Sequence, residues 1–411
     1  MASLVEPANS PAVRKLATLT YRFPLPATKL ISFHASFESG NLGDPVTAKA
    51  IEHMDQARED MARELASGNP NYQNVVAGAR RYVPLIAQTL YSLEQATDPV
   101  YLEAPLRFDW ASGLGINPRV TWISNQAVVW DKCMALISQA LAHADSVYNM
   151  VGAAAGGDDA VYAAAGRELR TAAGVLAHTA SEELPRWVGE TAKGERPPEA
   201  VPGVCEALST LCLAQAQQMA LGKALAGGKT PPTLLAKLCG GVADQMDAAL
   251  STLRDKAGAA YAKLAKPLLA HAAFQAALQR ALAHLFLASH AWAREAYGAA
   301  IAHQRRGAAL LARLPPPPDA PPPELAALRA EAAAALASYE RDNGAIYYDP
   351  VPGEPAAPPD GVVMMKPEPY TVPPLVALRF RPPRTGGEPE DVDVALAAEA
   401  EAKLSTANGK S

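Results

Sequence analysis

The chain has 411 residues, enough for two or three average domains or for one elongated array, so length alone does not divide it. Hydrophobic residues make up 49% but aromatics only 6%; alanine carries much of the difference, which favours helix and close backbone approach, so the core is expected to be helix on helix. A net charge of -5 excludes global attraction to nucleic acid or an anionic bilayer.

Residues 1–16 lack the apolar core of a secretory signal and are expected to be flexible. Over 18–36, Leu19, Tyr21, Phe23, Leu25, Leu30, Ile31 and Phe33 are broken by Pro24 and Pro26, which predicts extended structure or a small N-terminal β hairpin. From Asp44 the pattern turns helical: Ala48, Ile51, Met54, Met61 and Leu65 share one stripe, and Gly68-Asn69-Pro70 stops it. A second helix is predicted over 72–96. Between 98 and 118, Leu106, Phe108, Trp110 and Leu114 alternate as in a short buried strand or packed loop.

Further helices are predicted over 121–151, 158–179, 200–225, 231–263 and 266–314, with breaks at 152–157, Gly227-Gly228 and Pro267. Alternating helices and short turns predict a solenoid-like stack. Trp292, Tyr297, Gly298, Ala300 and Ile301 resemble half of a tetratricopeptide repeat, although no clean 34-residue period is present. The prolines at 315–318 and 321–323 form a stiff loop before a helix over 324–341. An apolar extended segment follows, through Ile346, Tyr347, Tyr348, Val351, residues 362–365 and Leu375, and is expected to be packed. From Arg381, Pro, Gly and acidic residues predict a mobile tail over 381–411, with a transient helix over 392–404. No stretch offers eighteen apolar residues free of charge, so no transmembrane segment is expected. No cysteine stands four from the end, so the usual prenylation rule fails.

Catalysis needs a nucleophile, a base and a charge stabiliser in one place, and no such constellation is legible. Cys133, Cys205, Cys212 and Cys239 form no CxxC pair, so neither a zinc site nor a disulfide framework is suggested, and a reducing cytosol fits best. His284 and His290 sit six apart on different faces of one predicted helix, no HExxH occurs, and the histidines are read as surface or satisfied helical residues. Residues 222–230, ending Gly228-Lys229-Thr230, narrowly miss a phosphate-binding loop: the first glycine is one residue too far upstream, and a helix stands where a strand is needed. A helix-helix turn is the expected outcome. Glu182-Glu183 and Asp158-Asp159 read as capping or solvated charge. No enzyme, cofactor or metal is expected.

The more informative feature is apolar. Met219, Leu221 and Leu225 end one predicted helix while Leu234, Leu235 and Leu238 begin the next. These side chains form ordinary core between packed helices, or some of them line a groove for an amphipathic partner helix.

Four stretches together resemble the Bro domain family of Alix-type and yeast Bro-one-type proteins, especially its short Brox-like members: Leu106-Arg-Phe-Asp-Trp110, Leu169-Arg-Thr-Ala-Ala-Gly-Val-Leu176, Leu213-Ala-Gln-Ala-Gln217, and Asp342-Asn-Gly-Ala-Ile-Tyr-Tyr348 with Val351-Pro352. The resemblance implies a mostly α, boomerang-like domain over 17–380, with tetratricopeptide-like helix hairpins, an N-terminal strand region and a C-terminal extended segment running back along the domain. It also implies a non-enzymatic scaffold that binds the C-terminal amphipathic helix of an ESCRT-III subunit of the charged multivesicular body protein class. Such a protein would be cytoplasmic and recruited to endosomal membranes through its partner, in endosomal sorting or membrane remodelling. Taken residue by residue, the family's groove places its aliphatics at Leu234 and Leu238, four apart on one helical face. Its aromatic falls on Ala220, flanked by Met219 and Leu221. This loss of a large contact, and the missing prenylation cysteine, depart from the pattern. A generic helical-repeat peptide adaptor unrelated to ESCRT-III is the competing expectation.

Overall fold

Prolines and N-caps start the helices where the sequence signals them. The computed structural model describes residues 6–37, 39–97, 100–117, 121–153, 159–188, 194–316 and 323–380. Ser10 caps α1 (Pro11–Ala17), accepting from Val13 N at 3.2 Å. Asp44 caps α2 (Pro45–Ala66), and Asn71 caps α3 (Tyr72–Gln95), each with a side-chain oxygen on a first-turn amide. The array continues through α4 (Val128–Ala153), α5 (Asp159–His178), α6 (Pro202–Ala226), α7 (Pro232–Lys256), α8 (Lys266–Ala293), α9 (Tyr297–Arg313) and α10 (Pro323–Asp342). From α2 onward each helix packs on its neighbour in the chain, as a solenoid-like stack requires.

Three helix boundaries differ from expectation. The helix predicted over 266–314 is interrupted: Glu295 takes φ 62°, and Ala296 N bonds back to Ala291 O at 3.0 Å. The one predicted over 231–263 ends at Lys256, and Gly258–Lys263 forms a 3-10 turn after Gly258 adopts φ 54°. The one predicted from 121 begins at Val128 because residues before it are in a strand.

That strand belongs to a three-stranded antiparallel sheet: β1 (Ala27–Thr28), β2 (Phe108–Ala111) and β3 (Trp122–Asn125), in that order. Residues 18–36 are extended, but they do not form a hairpin with themselves. Pro24 and Pro26 supply no donors for a ladder, and Ala27 and Thr28 pair instead with Ala111 and Trp110. Alternation along β2 buries Phe108 and Trp110. There Trp110 Nε1 donates to Asp131 Oδ1 at 2.6 Å, and Arg58 Nε and Nη2 reach the same carboxylate at 2.9 Å each.

The N-terminus also departs from expectation. Residues 7–9 form a 3-10 turn and 11–17 the helix α1, and Ala12, Val13 and Leu16 are buried in a core cluster with Leu221, Leu225, Leu235 and Leu238 of α6 and α7. Buried glutamines secure the end of α1: Gln218 Nε2 and Gln279 Nε2 donate to Ala17 O at 3.0 and 3.1 Å.

After α10 a π-helical turn (Asn343–Tyr347) leads into a segment, from 348 on, that runs back over the array without regular structure. Gly298 N donates to Asp349 Oδ2 (2.7 Å), Val362 N to Lys237 O (3.0 Å), Met364 N to Gln217 Oε1 (2.9 Å), Glu368 N to Arg170 O (3.0 Å), Leu378 N to Ser92 Oγ (2.7 Å) and Arg379 N to Thr47 Oγ1 (3.0 Å). The return segment thus crosses α9, α7, α6, α5, α3 and α2 in turn. Gly298 admits this segment through the Pro350 carbonyl. The tail expected over 381–411, with its helix over 392–404, lies outside the described residues.

Candidate partner-binding face

The face in question belongs to the α6–α7 hairpin. The two helices run antiparallel, with Gln217 of α6 against Leu238 and Gly241 of α7, and the bend between them turns at Gly228, φ 62°. The near-miss phosphate loop is therefore a helix-helix turn. Gly222 serves packing: a Cβ there would stand 2.8 Å from the Tyr162 ring of α5.

The structure separates the residues that the sequence placed together. Leu234 is exposed, at 41%, on the first turn of α7. Leu238, expected beside it, is 3% exposed, and Leu221 and Met219 are fully covered. The expectation that Leu238, Leu221 and Met219 face outward is corrected: they are core. Four residues advance a helix by about 40° beyond one full turn. That rotation carries Leu238 into the seam with α6, where α1 contributes to the same cluster. Ala220 is half-buried on the outer face of α6.

One feature of this face had no helical signal in the sequence. The return segment lies across it, with Val363 and Met364 53% and 49% exposed between its contacts on Lys237 and Gln217. In extended chain pinned to a helical layer, exposure follows the hydrogen bonds to the layer and not a 3.6-residue period, so pattern reading could only mark 362–365 as apolar.

The side chains tested for chemistry sit elsewhere. All four cysteines are buried and free. Burial raises their pKa values, that of Cys212 to about 12, which leaves the thiols inert. His284 and His303 form a buried pair, Nδ1 to Nδ1 at 3.1 Å between α8 and α9. Glu183, expected to be solvated, is buried. A π-helical turn over Thr179–Glu183 sets it against Lys132 Nζ (2.7 Å) and His178 Nε2 (3.1 Å). Burial alone would raise its pKa, yet His178 and Lys132 hold it down at about 2. Among the described residues no three His, Cys, Asp or Glu side chains converge as metal ligands, and no helix is long and apolar enough to cross a membrane.

A family model described as the BRO1-like domain matches residues 41–382. The chain belongs to the BRO1-like domain family. Solved structures agree in fold. The chain is similar to the ALIX BRO1 domain in its complex with CHMP4C, with a TM-score of 0.70 and 18% identity over 86% of this chain and 96% of that one. It is similar to ALIX in complex with the SIVmac239 PYKEVTEDL late domain, with a TM-score of 0.68 and 19% identity over 93% of this chain and 53% of that longer one. A third match is the Bro1 domain from a structure on endosomal targeting, with a TM-score of 0.65 and 14% identity over 85% and 92% of the two chains. No curated protein sequence matches the chain. In this BRO1-like domain each of the four stretches that carry the family resemblance ties elements of the fold together. Trp110 holds the buried Asp131, Gly174 admits Glu368, Gln217 grips Val362 and Met364, and Asn343 bonds both Asp349 N and Asp349 O at 2.9 Å. In the first of them β2 joins the sheet to the helices; in the others a helix meets the extended return segment.

Proposed function

We propose that this BRO1-like domain is a non-enzymatic scaffold that docks the C-terminal amphipathic helix of an ESCRT-III subunit on the outer face of the α6–α7 hairpin, and serves endosomal sorting or membrane remodelling through that partner. One observation carries the reading: Leu234 holds an exposed branched side chain on the first turn of a helix whose backbone is fixed by packing on α6 and α8. An isolated exposed leucine is unremarkable. This one stands at the position that the family's groove assigns to an aliphatic contact, and a fold relative was solved as a complex with CHMP4C.

The docking residues proposed are Leu234 as the aliphatic contact and Ala220 as the small floor beside it. Leu238, Leu221 and Met219 act from beneath, by holding the hairpin in place. With alanine where the family pattern has an aromatic, the face offers less apolar area of its own, at about 25 cal/mol per Å² before ordering costs, and micromolar affinity is expected. The test is direct binding of a fluorescein-labelled peptide spanning the CHMP4C C-terminal helix to the full chain. Saturable binding that Leu234→Asp removes, with the melt unchanged, supports the proposal. An absence of binding to the unsubstituted chain overturns it in favour of an unrelated peptide adaptor.

A further inference from the structure

Thr230 stands on the bend between α6 and α7, just before Pro231 and Pro232 and four residues before Leu234. Only two serine or threonine residues of the chain directly precede a proline, Ser10 and Thr230. The fold closes the first. Ser10 is 1% exposed, and its hydroxyl donates to Glu331 Oε2 at 2.6 Å while accepting from Val13 N. The second is open: Gly227, Gly228, Lys229 and Pro231 are all exposed, and Thr230 itself is half-exposed. Among the described residues its side chain makes one hydrogen bond, Oγ1 donating to Ala224 O at 3.2 Å, which is long for a hydroxyl.

The backbone here has the shape that a protein kinase takes into its cleft. Pro231 holds φ -58° and ψ 139°, and a proline keeps the residue before it out of helix, so Thr230-Pro231 is an extended acceptor pair. A kinase that selects proline after its acceptor reads this fixed φ and the missing N–H. Gly228, at φ 62°, turns the chain two residues earlier and leaves the pair on the rim of the bend.

The surroundings suit a dianion on one side only. Between Glu206 and Asp244 there is no acidic residue, and Lys223 and Lys229 are both exposed. The unmodified hydroxyl caps a carbonyl at the C-terminal end of α6. A phosphate carries about two negative charges and has no proton to give, so that carbonyl and the negative end of the α6 dipole repel it. It is drawn instead to the start of α7, which has no side-chain cap and no acid in its first turn. Leu234 is on that turn, its N–H bonded to Pro231 O at 2.9 Å. Phosphate and Leu234 are then on the order of 8 Å apart, no farther than the screening length of ~8 Å at physiological salt.

We propose that Thr230 is a phosphorylation site for a proline-directed protein kinase, and that its phosphate releases the partner helix from the Leu234 face. In the transfer, Thr230 Oγ1 bonds to the γ-phosphorus of ATP and the bond from that phosphorus to the bridging β-phosphate oxygen breaks. ADP leaves, and the hydroxyl proton passes through the kinase's base to solvent. A helix that docks on Leu234 must then strip water from a dianion beside it, which disfavours the complex. The modification stands without the docking function proposed above; its effect on binding rests on that function.

The experiment incubates the full chain with ATP, magnesium and an active kinase of the mitogen-activated class. Phosphate is mapped by tryptic digestion and fragmentation of the peptide 230–237, which separates Thr230 from Thr233. Near-stoichiometric phosphate on Thr230, none on Ser10 and none at the bend in Thr230→Val is the expected result. A folded chain left unmodified at Thr230 overturns the site, and a synthetic 224–237 peptide shows whether burial or sequence is the cause. Modified and unmodified chains are then titrated with the labelled CHMP4C helix peptide. Phosphate is expected to weaken binding about tenfold. Thr230→Val, which loses the bond to Ala224 O and gains no charge, is expected to stay within about twofold. Equal binding by the two forms, or an equal loss in Thr230→Val, overturns the release and leaves the site standing. If the unmodified chain does not bind, the docking function and the release fall together, while the phosphate map still decides the site.

Discussion

Gly241 lies so close beneath Val362 that a Cβ on the glycine would stand 2.2 Å from the Val362 carbonyl oxygen. Backbone occupies the space, with Gln217 Nε2 beside it at 2.3 Å, so no rotamer change relieves the contact with the carbonyl. Gly241→Ala is expected to push the return segment outward, to break the 3.0 Å bond from Val362 N to Lys237 O, and to cost about 1–3 kcal/mol. Hydrogen exchange should quicken across 360–368 and stay unchanged in α2 and α3. Unchanged exchange at Val362 would show that the segment does not depend on this seat.

Leu234 and Leu238 are four residues apart on α7 but differ in exposure, 41% against 3%. Leu238→Asp puts a carboxylate into the cluster shared with Leu221, Leu225 and Leu16. It is expected to destabilise the chain by about 3 kcal/mol or more. Leu234→Asp at the surface is expected to stay within about 0.5 kcal/mol. Urea melts of the two single variants measure the difference, and equal losses would mean that Leu234 also belongs to the core.

What could be read in the sequence was set by periodicity. The helices from α2 to α7 and α10 are legible because their apolar stripes repeat at 3.6 residues and stop at Gly, Pro or Asn. The break at Glu295 is not legible, because Trp292 and Tyr297 keep an apolar pattern through it and no glycine or proline marks it. Beside the helical rotation that turns Leu238 inward, the misplacement of Leu221 and Leu238 has a second cause: a seven-residue helix is too short to announce itself, and without α1 one cover of the α6–α7 end is missing. Val363 and Met364 belong to a segment ordered by hydrogen bonds that its amides donate to Gln217 and Lys237. Nothing local encodes those bonds, although the glutamines of Leu213-Ala-Gln-Ala-Gln217 were part of the family resemblance.

Asp131 is fully buried and accepts from Arg58 Nε, Arg58 Nη2, Trp110 Nε1 and Tyr82 Oη. Removing the carboxylate leaves a buried guanidinium without its counter-charge, the arrangement that costs most in an apolar interior. Asp131→Leu is expected to lose about 3–5 kcal/mol. Trp110→Phe, which removes one donor and leaves the ion pair, is expected to lose about 1–3 kcal/mol. The order of the two melting temperatures checks this, and Trp110→Phe as the worse variant would assign the role to packing of the indole.

Acid is expected to weaken the fold through His271. Its ring is buried on α8, 5.4 Å from that of Tyr21, and its Nε2 has no hydrogen-bond partner among the described residues. Burial pushes its pKa down from 6.5 to about 4. The unfolded chain therefore takes up a proton, as pH falls from 6.5 toward 4, that the folded chain refuses. Stability should fall through that window by about 1.4 kcal/mol per pH unit for this group, on the order of 3 kcal/mol in all. His284, pushed down to about 4 by burial and then by His303 and Arg306, acts with the same sign. Glu183, held at about 2, is lost only below 4.5, so it does not intrude above that pH. Urea melts from pH 7 to 4.5 should show a shallower decline in His271→Leu than in the unsubstituted chain. An identical slope would mean that the ring finds a way to protonate in place.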